Sequence, residues 1–238
     1  MTRVVRIKYA HSEPLFWRAR LDVVEAGNLD AARLIASGAA DLGFVPITMA
    51  AELGLPIVPL LAIYSTGPVL SARVFRGRGR GLCAVRETTV AARVLSRLLG
   101  ASFRRVDDPW SALDECEAVL AVGDEALRMV DSGVPHLLDV GELWWERVRA
   151  PLFFAVLVAR PGAAGVEEAV REMERSLARF YESPEPVVRR VAARLGISER
   201  LVEEYFQRAR YTLDGRHKEC IRLEAEILGL PPPRFLDL

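Results

Sequence analysis

Apolar stretches of strand length alternate with helix-patterned stretches as far as Pro161, and beyond it only helical periodicity remains. This alternation constrains the fold most, because strands separated by helices pair in parallel and are covered on both faces. The strand-like segments of the first series are VVRIKY (4–9), LDVVEA (21–26), ADLGFVP (40–46) and PIVPLLAIY (56–64). Helices are predicted between them over 12–19, 28–38 and 48–54. Ser12 and Thr48 serve as N-caps, and Gly38 ends the second helix. After GPVLSARVF (67–75), a second series begins at LCAV (82–85). It continues through a helix from Thr88 or Thr89 to Leu99, SFRRVD (102–107), a helix around 110–115, AVLAVGD (118–124) and a helix over 124–133. APLFFAVLVAR (150–160) is a strongly apolar strand. Segments 165–182, 184–195, 198–210 and 214–229 are helical, so the tail is expected to be a helical layer without strands.

Two successive α/β series imply two lobes. A larger lobe is expected from 1–74 and 155–238, and a smaller inserted α/β lobe from 75–154. Lobes so arranged hold a small molecule in a cleft, and their closure excludes water.

Half of the residues, 51%, are apolar, enough for a packed core rather than disorder. Lys+Arg and Asp+Glu both total 32, which argues against a dedicated nucleic-acid surface. Lys8 and Lys218 are the only lysines, and Asn28 and Gln207 the only side-chain amides. Scarce amides suggest a thermophile, although a GC-rich genome produces the same arginine excess. Cys83, Cys116 and Cys220 are far apart, and neither a zinc site nor a disulfide framework is indicated. The N-terminus lacks a signal-peptide core, and no apolar run is long enough for a membrane span. The reading is a soluble, cytoplasmic protein.

Two patterns carry a sharp and a plain reading each. RGRGRG (76–81) is a solvated turn or a phosphate-binding patch, and the turn is preferred. VVRRVAARLGISERLVEEYF (187–206) has helix-turn-helix spacing with Ser198 as a cap. Glu199, Glu203 and Glu204 oppose phosphate contact, so a packed helical hairpin is preferred. Phosphate motifs of the GxGxxG or GxxxxGK[ST] type are absent, which argues against nucleotide cofactors. Trp144 and Trp145 are placed on an amphipathic helix as core cover.

Three strand ends run into helix starts that bear a small hydroxyl residue: Tyr9 to Ser12, Val45 to Thr48, and Val85 to Thr88 and Thr89. In an open parallel sheet the ligand crevice lies beyond the carboxyl ends of the strands, where helix N-termini offer unpaired N–H groups. Such ends suit a small carboxylate, while plain N-capping accounts for any one of them alone. His11 lies on this rim. It is either a proton-transfer group or a hydrogen-bonded rim residue beside Glu13. His136 and His217 read as structural or solvent-facing.

The ordered set IKYAHSEPLFW, AARLIASGAADLGFVPITMA, STGPVLSARVF, AVLAVGDEALR, LLDVGELWWERVRAPLFFAVLVAR and YFQRARYTLDGRHKECIRLEAEILGLPPP resembles the chorismate dehydratases of the futalosine route to menaquinone. The resemblance spans nearly the whole chain. It implies a two-lobed fold like that of type II periplasmic binding proteins, with mixed, mostly parallel sheets. It also implies a carbon–oxygen lyase that converts chorismate to 3-[(1-carboxyvinyl)oxy]benzoate and water, with no metal or organic cofactor. On the family's segments, His11 and Ser71 take catalytic roles. Ser12, Thr48, Gly67, Pro68, Thr88 and Thr89 bind substrate. The family carries an asparagine in a YLN segment where this chain reads YAH. Histidine at position 11 either moves the acid–base role onto the imidazole or marks a different substrate. A non-catalytic binding protein for a small aromatic carboxylate is the alternative reading.

Overall fold

The computed structural model describes residues 2–237. In chain order the elements are β1 (Arg3–Ile7), α1 (Glu13–Phe16), β2 (Asp22–Ala26), α2 (Asn28–Ala36), β3 (Leu42–Pro46), α3 (Ile47–Glu52), β4 (Ile57–Ser65), β5 (Ala72–Arg76), β6 (Leu82–Val85), α4 (Val90–Leu99) and β7 (Arg104–Val106). They continue with α5 (Pro109–Glu115), β8 (Ala118–Val122), α6 (Gly123–Asp131), β9 (His136–Asp139), α7 (Val140–Val148), β10 (Leu152–Ala159), α8 (Val166–Glu182), α9 (Glu185–Leu195), α10 (Glu199–Arg208), β11 (Arg210–Thr212) and α11 (His217–Leu228). The chain divides into two units. The first comprises 1–64, 153–190 and 210–238, and the second 65–152 and 191–209. Residues 65–74 and 191–209, which the sequence pattern assigned to the larger lobe, thus lie in the second unit.

Unit 1 is built on a six-stranded sheet in the order β11-β4-β10-β3-β1-β2. β1 pairs in parallel with β2 and β3, and β10 runs antiparallel beside β3. The sheet is therefore mixed. β10 is an unbroken apolar run because it lies inside the sheet and is buried almost throughout. Gly43 lets β1 and β3 close up, since a Cβ there would stand 2.5 Å from the Val5 carbonyl oxygen. The tail does contain a strand, contrary to the helical pattern. β11 pairs with the edge strand β4, Arg210 opposite Tyr64, and buries Tyr211. Three residues are too few for a visible alternation, so packing rather than periodicity creates this strand.

Unit 2 has a five-stranded sheet in the order β7-β6-β8-β5-β9. β6 pairs in parallel with β7 and β8, whereas β5 is antiparallel to β8 and β9. Cys83 and Cys116 form a disulfide, against the expectation drawn from their spacing. The two are 33 residues apart in sequence. The βαβα path from β6 to the end of α5 brings them together in a buried cluster with Ala112 and Val119. Spacing alone cannot reveal a pair joined through a crossover.

The arginine–glycine repeat is a turn, as preferred, but a tightly bonded one that closes the C-terminal end of α5. Backbone N–H groups of Gly77, Arg78, Gly79 and Arg80 donate to the carbonyls of Glu117, Leu113, Cys116 and Glu115, at 2.7–3.1 Å. These carbonyls would otherwise lack partners at the helix end. A Cβ on Gly79 would lie 2.1 Å from the Glu115 backbone, and one on Gly77 2.1 Å from the Cys116 oxygen. The glycines permit the contact, and the intervening arginines bring cations to a helix C-terminus, where they are favoured.

Candidate functional site

In unit 1, β1 and β3 are parallel neighbours, so the segments that follow them emerge at one edge of the sheet. β1 leads into a 3-10 turn, Ala10–Ser12, and β3 into α3. β10 runs the other way with Ala155 opposite Pro46, so its first residues, including Phe153, lie at this same edge.

A buried polar network holds the turn. The Arg6 guanidinium reaches Glu13 at 2.5 Å and Glu25 at 3.4 Å. Its Nε donates to Ser12 Oγ at 3.1 Å. The Ser12 hydroxyl faces the carbonyls of Ile7 and Tyr9 at 2.6 and 2.9 Å. Ser12 is fully buried and tied to its own chain. It does not cap α1, because its backbone is helical (φ −85°, ψ −17°) whereas an N-cap needs an extended one.

His11 is partly exposed, yet its Nε2 is buried and has no hydrogen-bond partner. Desolvation, helped by the Arg6 charge, lowers its pKa to about 3. The imidazole is thus neutral at physiological pH. Because the folded value lies below the unfolded one, the unfolded chain binds the extra proton between about pH 6.5 and 3, and stability falls as pH falls. Relative to His11→Asn, the wild type is expected to lose about 1 kcal/mol per pH unit below pH 6. Urea titrations at pH 7, 6 and 5 measure this, and parallel pH profiles for the two proteins would refute the buried neutral ring.

Thr48 is the second residue of α3, behind Pro46 at the N-cap position, and does not cap. Its Oγ1 is likewise buried without a partner. A third such atom comes from a residue that the sequence reading did not single out. Glu224 of α11 is fully buried. One of its oxygens accepts the Phe153 N–H at 2.7 Å, and Oε1 has no partner. Burial pushes this carboxyl well above the usual carboxylate range. The signal was available: Ile221, Glu224, Ala225 and Leu228 form the buried stripe of α11, and a carboxylate on an apolar stripe is unusual.

In unit 2, Gly67 and Pro68 lead into Val69–Ser71. The Ser71 N–H donates to the Val69 carbonyl at 2.7 Å across Leu70, whose φ is +63°. A left-handed leucine is strained and persists only where its surroundings enforce it. The enforcing group is Asp139, 2% exposed. Its carboxylate accepts from Val69 N (3.0 Å), Leu70 N (2.8 Å) and Arg73 Nε (3.0 Å). It also caps α7 through Gly141 N and Glu142 N. The Ser71 hydroxyl bonds the Tyr205 phenol, whose ionisation burial suppresses. Sequence reasoning missed Asp139, although Asp139 and Glu142 have the spacing of a helix-start box.

Thr88 Oγ1 donates to the Val85 carbonyl at 2.6 Å and accepts from Arg105 at 2.7 Å. Neither Thr88 nor Thr89 caps α4, and Thr89 also has a helical φ. Of the expected caps only Ser198 serves, accepting from Leu201 N. His136 is exposed at the start of β9. His217 bonds Asp214 and rests against Tyr64 and Phe153, a structural position as expected.

A groove of about 810 Å³ lies elsewhere in unit 1, among Thr2, Asp22, Arg20, Glu172, Arg175 and Arg179. Glu172 already accepts from Arg20 N and pairs with Arg175, so the groove is a self-neutralised surface. The edge after β1 and β3 instead holds buried unpaired groups, His11 Nε2 and Thr48 Oγ1, which mark it as the candidate site on chemical grounds. Among the described residues no group of three or more His, Cys, Asp or Glu could hold a metal ion, and no helix is long and apolar enough to cross a membrane.

A family described as menaquinone biosynthesis matches residues 2–228. The chorismate dehydratase of Thermus thermophilus is 28% identical, and the match spans 94% of each chain. Among solved structures, a protein from Archaeoglobus fulgidus is similar with a TM-score of 0.70 at 17% identity, over 95% of this chain and 97% of that one. The periplasmic aliphatic sulphonate binding protein of Escherichia coli gives 0.68 at 13% identity, over 100% and 94%. A Candida albicans gene product described as having the generic periplasmic binding protein fold gives 0.66 at 11% identity, over 100% and 98%. These likenesses establish a periplasmic-binding-protein-like fold.

Proposed function

This chain belongs to the menaquinone biosynthesis family, and from that premise we propose that it is a chorismate dehydratase, a hydro-lyase of the futalosine route working in the cytoplasm. The observation that carries the reading is a likeness to the Thermus thermophilus chorismate dehydratase that runs through 94% of both chains. Chorismate bears two carboxylates, a ring hydroxyl and an acidic ring C–H. Loss of water makes the ring aromatic, so the reaction runs downhill and exchanges no electrons with a cofactor. What the protein has to supply is orientation and proton transfer.

The buried groups of unit 1 suit this work. A neutral imidazole can accept a proton without first losing one, and arrival of a dianion raises its basicity by favouring the imidazolium. Thr48 Oγ1 has a hydrogen bond to offer. Ser12 supports the reaction through the turn it fastens rather than through a bond to substrate. In unit 2 the roles assigned by resemblance to Gly67, Pro68, Ser71, Thr88 and Thr89 are kept as part of the reading. Ser71 stands on the strained turn, and the Thr88 hydroxyl is engaged internally. Incubation of the purified protein with chorismate is expected to yield the enol-ether benzoate and water. Turnover no faster than the spontaneous decay of chorismate would reject the proposal.

A further inference from the structure

The dehydratase reading leaves one group unused, and the inference about it rests on that reading. His11 Nε2, Thr48 Oγ1 and Glu224 Oε1 are three buried polar atoms without partners. His11 follows β1, Thr48 follows β3, and Glu224, on α11, is bonded to Phe153 at the start of β10, so the three groups are attached to three successive strands. Adjacent strands lie about 4.8 Å apart, so the three ends span about 10 Å, the width of a small ring compound. An unsatisfied buried polar atom costs about 1–3 kcal/mol, and three at one edge are expected where a ligand completes them.

We propose that Glu224 is the general acid of the dehydration, its Oε1–H giving a proton to the departing hydroxyl. Fastening Phe153 occupies one carboxyl oxygen, and the other, Oε1, is left without a partner inside the fold. The surroundings hold the group as an acid. β10 carries no charged residue. The ionisable residue of α3 is Glu52, which is exposed. Lys218 and Arg222 of α11 stack on Phe235. Burial raises the carboxyl well above the usual carboxylate range, which favours its protonated form.

In the step, the C–H bond at the ether-bearing ring carbon breaks and its proton passes to His11 Nε2. The released electron pair becomes a ring double bond as the neighbouring C–O bond breaks. The Glu224 proton joins the departing oxygen, and water leaves. Glu224 is left as a carboxylate and His11 as an imidazolium. One proton returned from imidazolium to carboxylate, through solvent, restores both, so the protons balance. The pairing is self-consistent: base and acid both start neutral, and each product charge stabilises the other.

The test compares wild type, Glu224→Gln and Glu224→Ala in steady-state turnover of chorismate. Glutamine keeps the shape and the bond to the Phe153 N–H but cannot surrender a proton. For Glu224→Gln we expect kcat to fall about 100-fold or more with KM within about threefold and an unchanged circular-dichroism spectrum. Glu224→Ala, which leaves a cavity, is expected to regain turnover with added formic acid, and the rescue should follow the concentration of the acid form. A Glu224→Gln enzyme within about threefold of wild-type kcat overturns the acid role and leaves the dehydratase reading standing. A wild type that does not turn over chorismate overturns both.

Discussion

Asp139→Ala is expected to cost about 4 kcal/mol of stability, the loss typical of removing one partner from a buried, hydrogen-bonded ion pair. The carboxylate serves two pieces of backbone and one side chain at once. It caps α7 through Gly141 and Glu142, pins the amides of Val69 and Leu70, and neutralises Arg73. Alanine strips partners from all three in a site that is 2% exposed, where water cannot replace them. The strained φ of Leu70, +63°, then has nothing to enforce it, and Ser71 is released from its turn. Asp139→Asn keeps one acceptor oxygen and the shape but not the charge facing Arg73, so about half the loss is expected. Urea unfolding of the three proteins measures the series. A loss below about 1 kcal/mol for alanine would mean that some other group holds the turn.

The same carboxylate illustrates what sequence can and cannot disclose. Its capping role is local, and the spacing of Asp139 and Glu142 announces it. Its grip on Val69 and Leu70 crosses about 70 residues and exists only because β9 pairs with β5. Local periodicity likewise announced most strands and helices, because β10 is apolar along its length and α8 carries a regular buried stripe. It did not announce β11, which is three residues long, nor the Cys83–Cys116 bond, which a crossover assembles. At the site, the succession of strand and helix along the chain was legible, so Thr48 and His11 were expected at strand ends. The mode of action was not. Small hydroxyl residues at helix starts were expected to cap, but the helical backbone of Ser12 and Thr89 forbids it. Their chemistry is set by dihedral angles that residue type alone does not fix. The family resemblance adds a proposed role for Ser71, which periodicity does not offer because its turn carries no local signal of chemistry.

Glu13→Ala is expected to destabilise by about 4 kcal/mol, for a reason that bears on His11. Arg6 is 8% exposed, and Glu13, at 2.5 Å, is its buried counter-charge. Without it the guanidinium keeps Glu25, whose side chain is 61% exposed and screened by water, the Ser12 hydroxyl and the face of the Phe16 ring, none of them a buried counter-charge. An uncompensated buried cation is costly, whereas replacing both partners by apolar groups is often near neutral. Arg6→Met with Glu13→Leu should therefore recover most of what Glu13→Ala loses, and urea unfolding of single and double variants separates the two cases. If the double variant is as unstable as the single one, the cost lies in packing rather than in the orphaned charge. Stability recovered in this way would not restore the site. With Arg6 gone, Ser12 loses its donor, so the turn that carries His11 is less firmly fixed. The charge that helps keep the imidazole neutral is gone as well. The pair is thus better understood as holding one side chain in place and in one protonation state than as a source of folding energy.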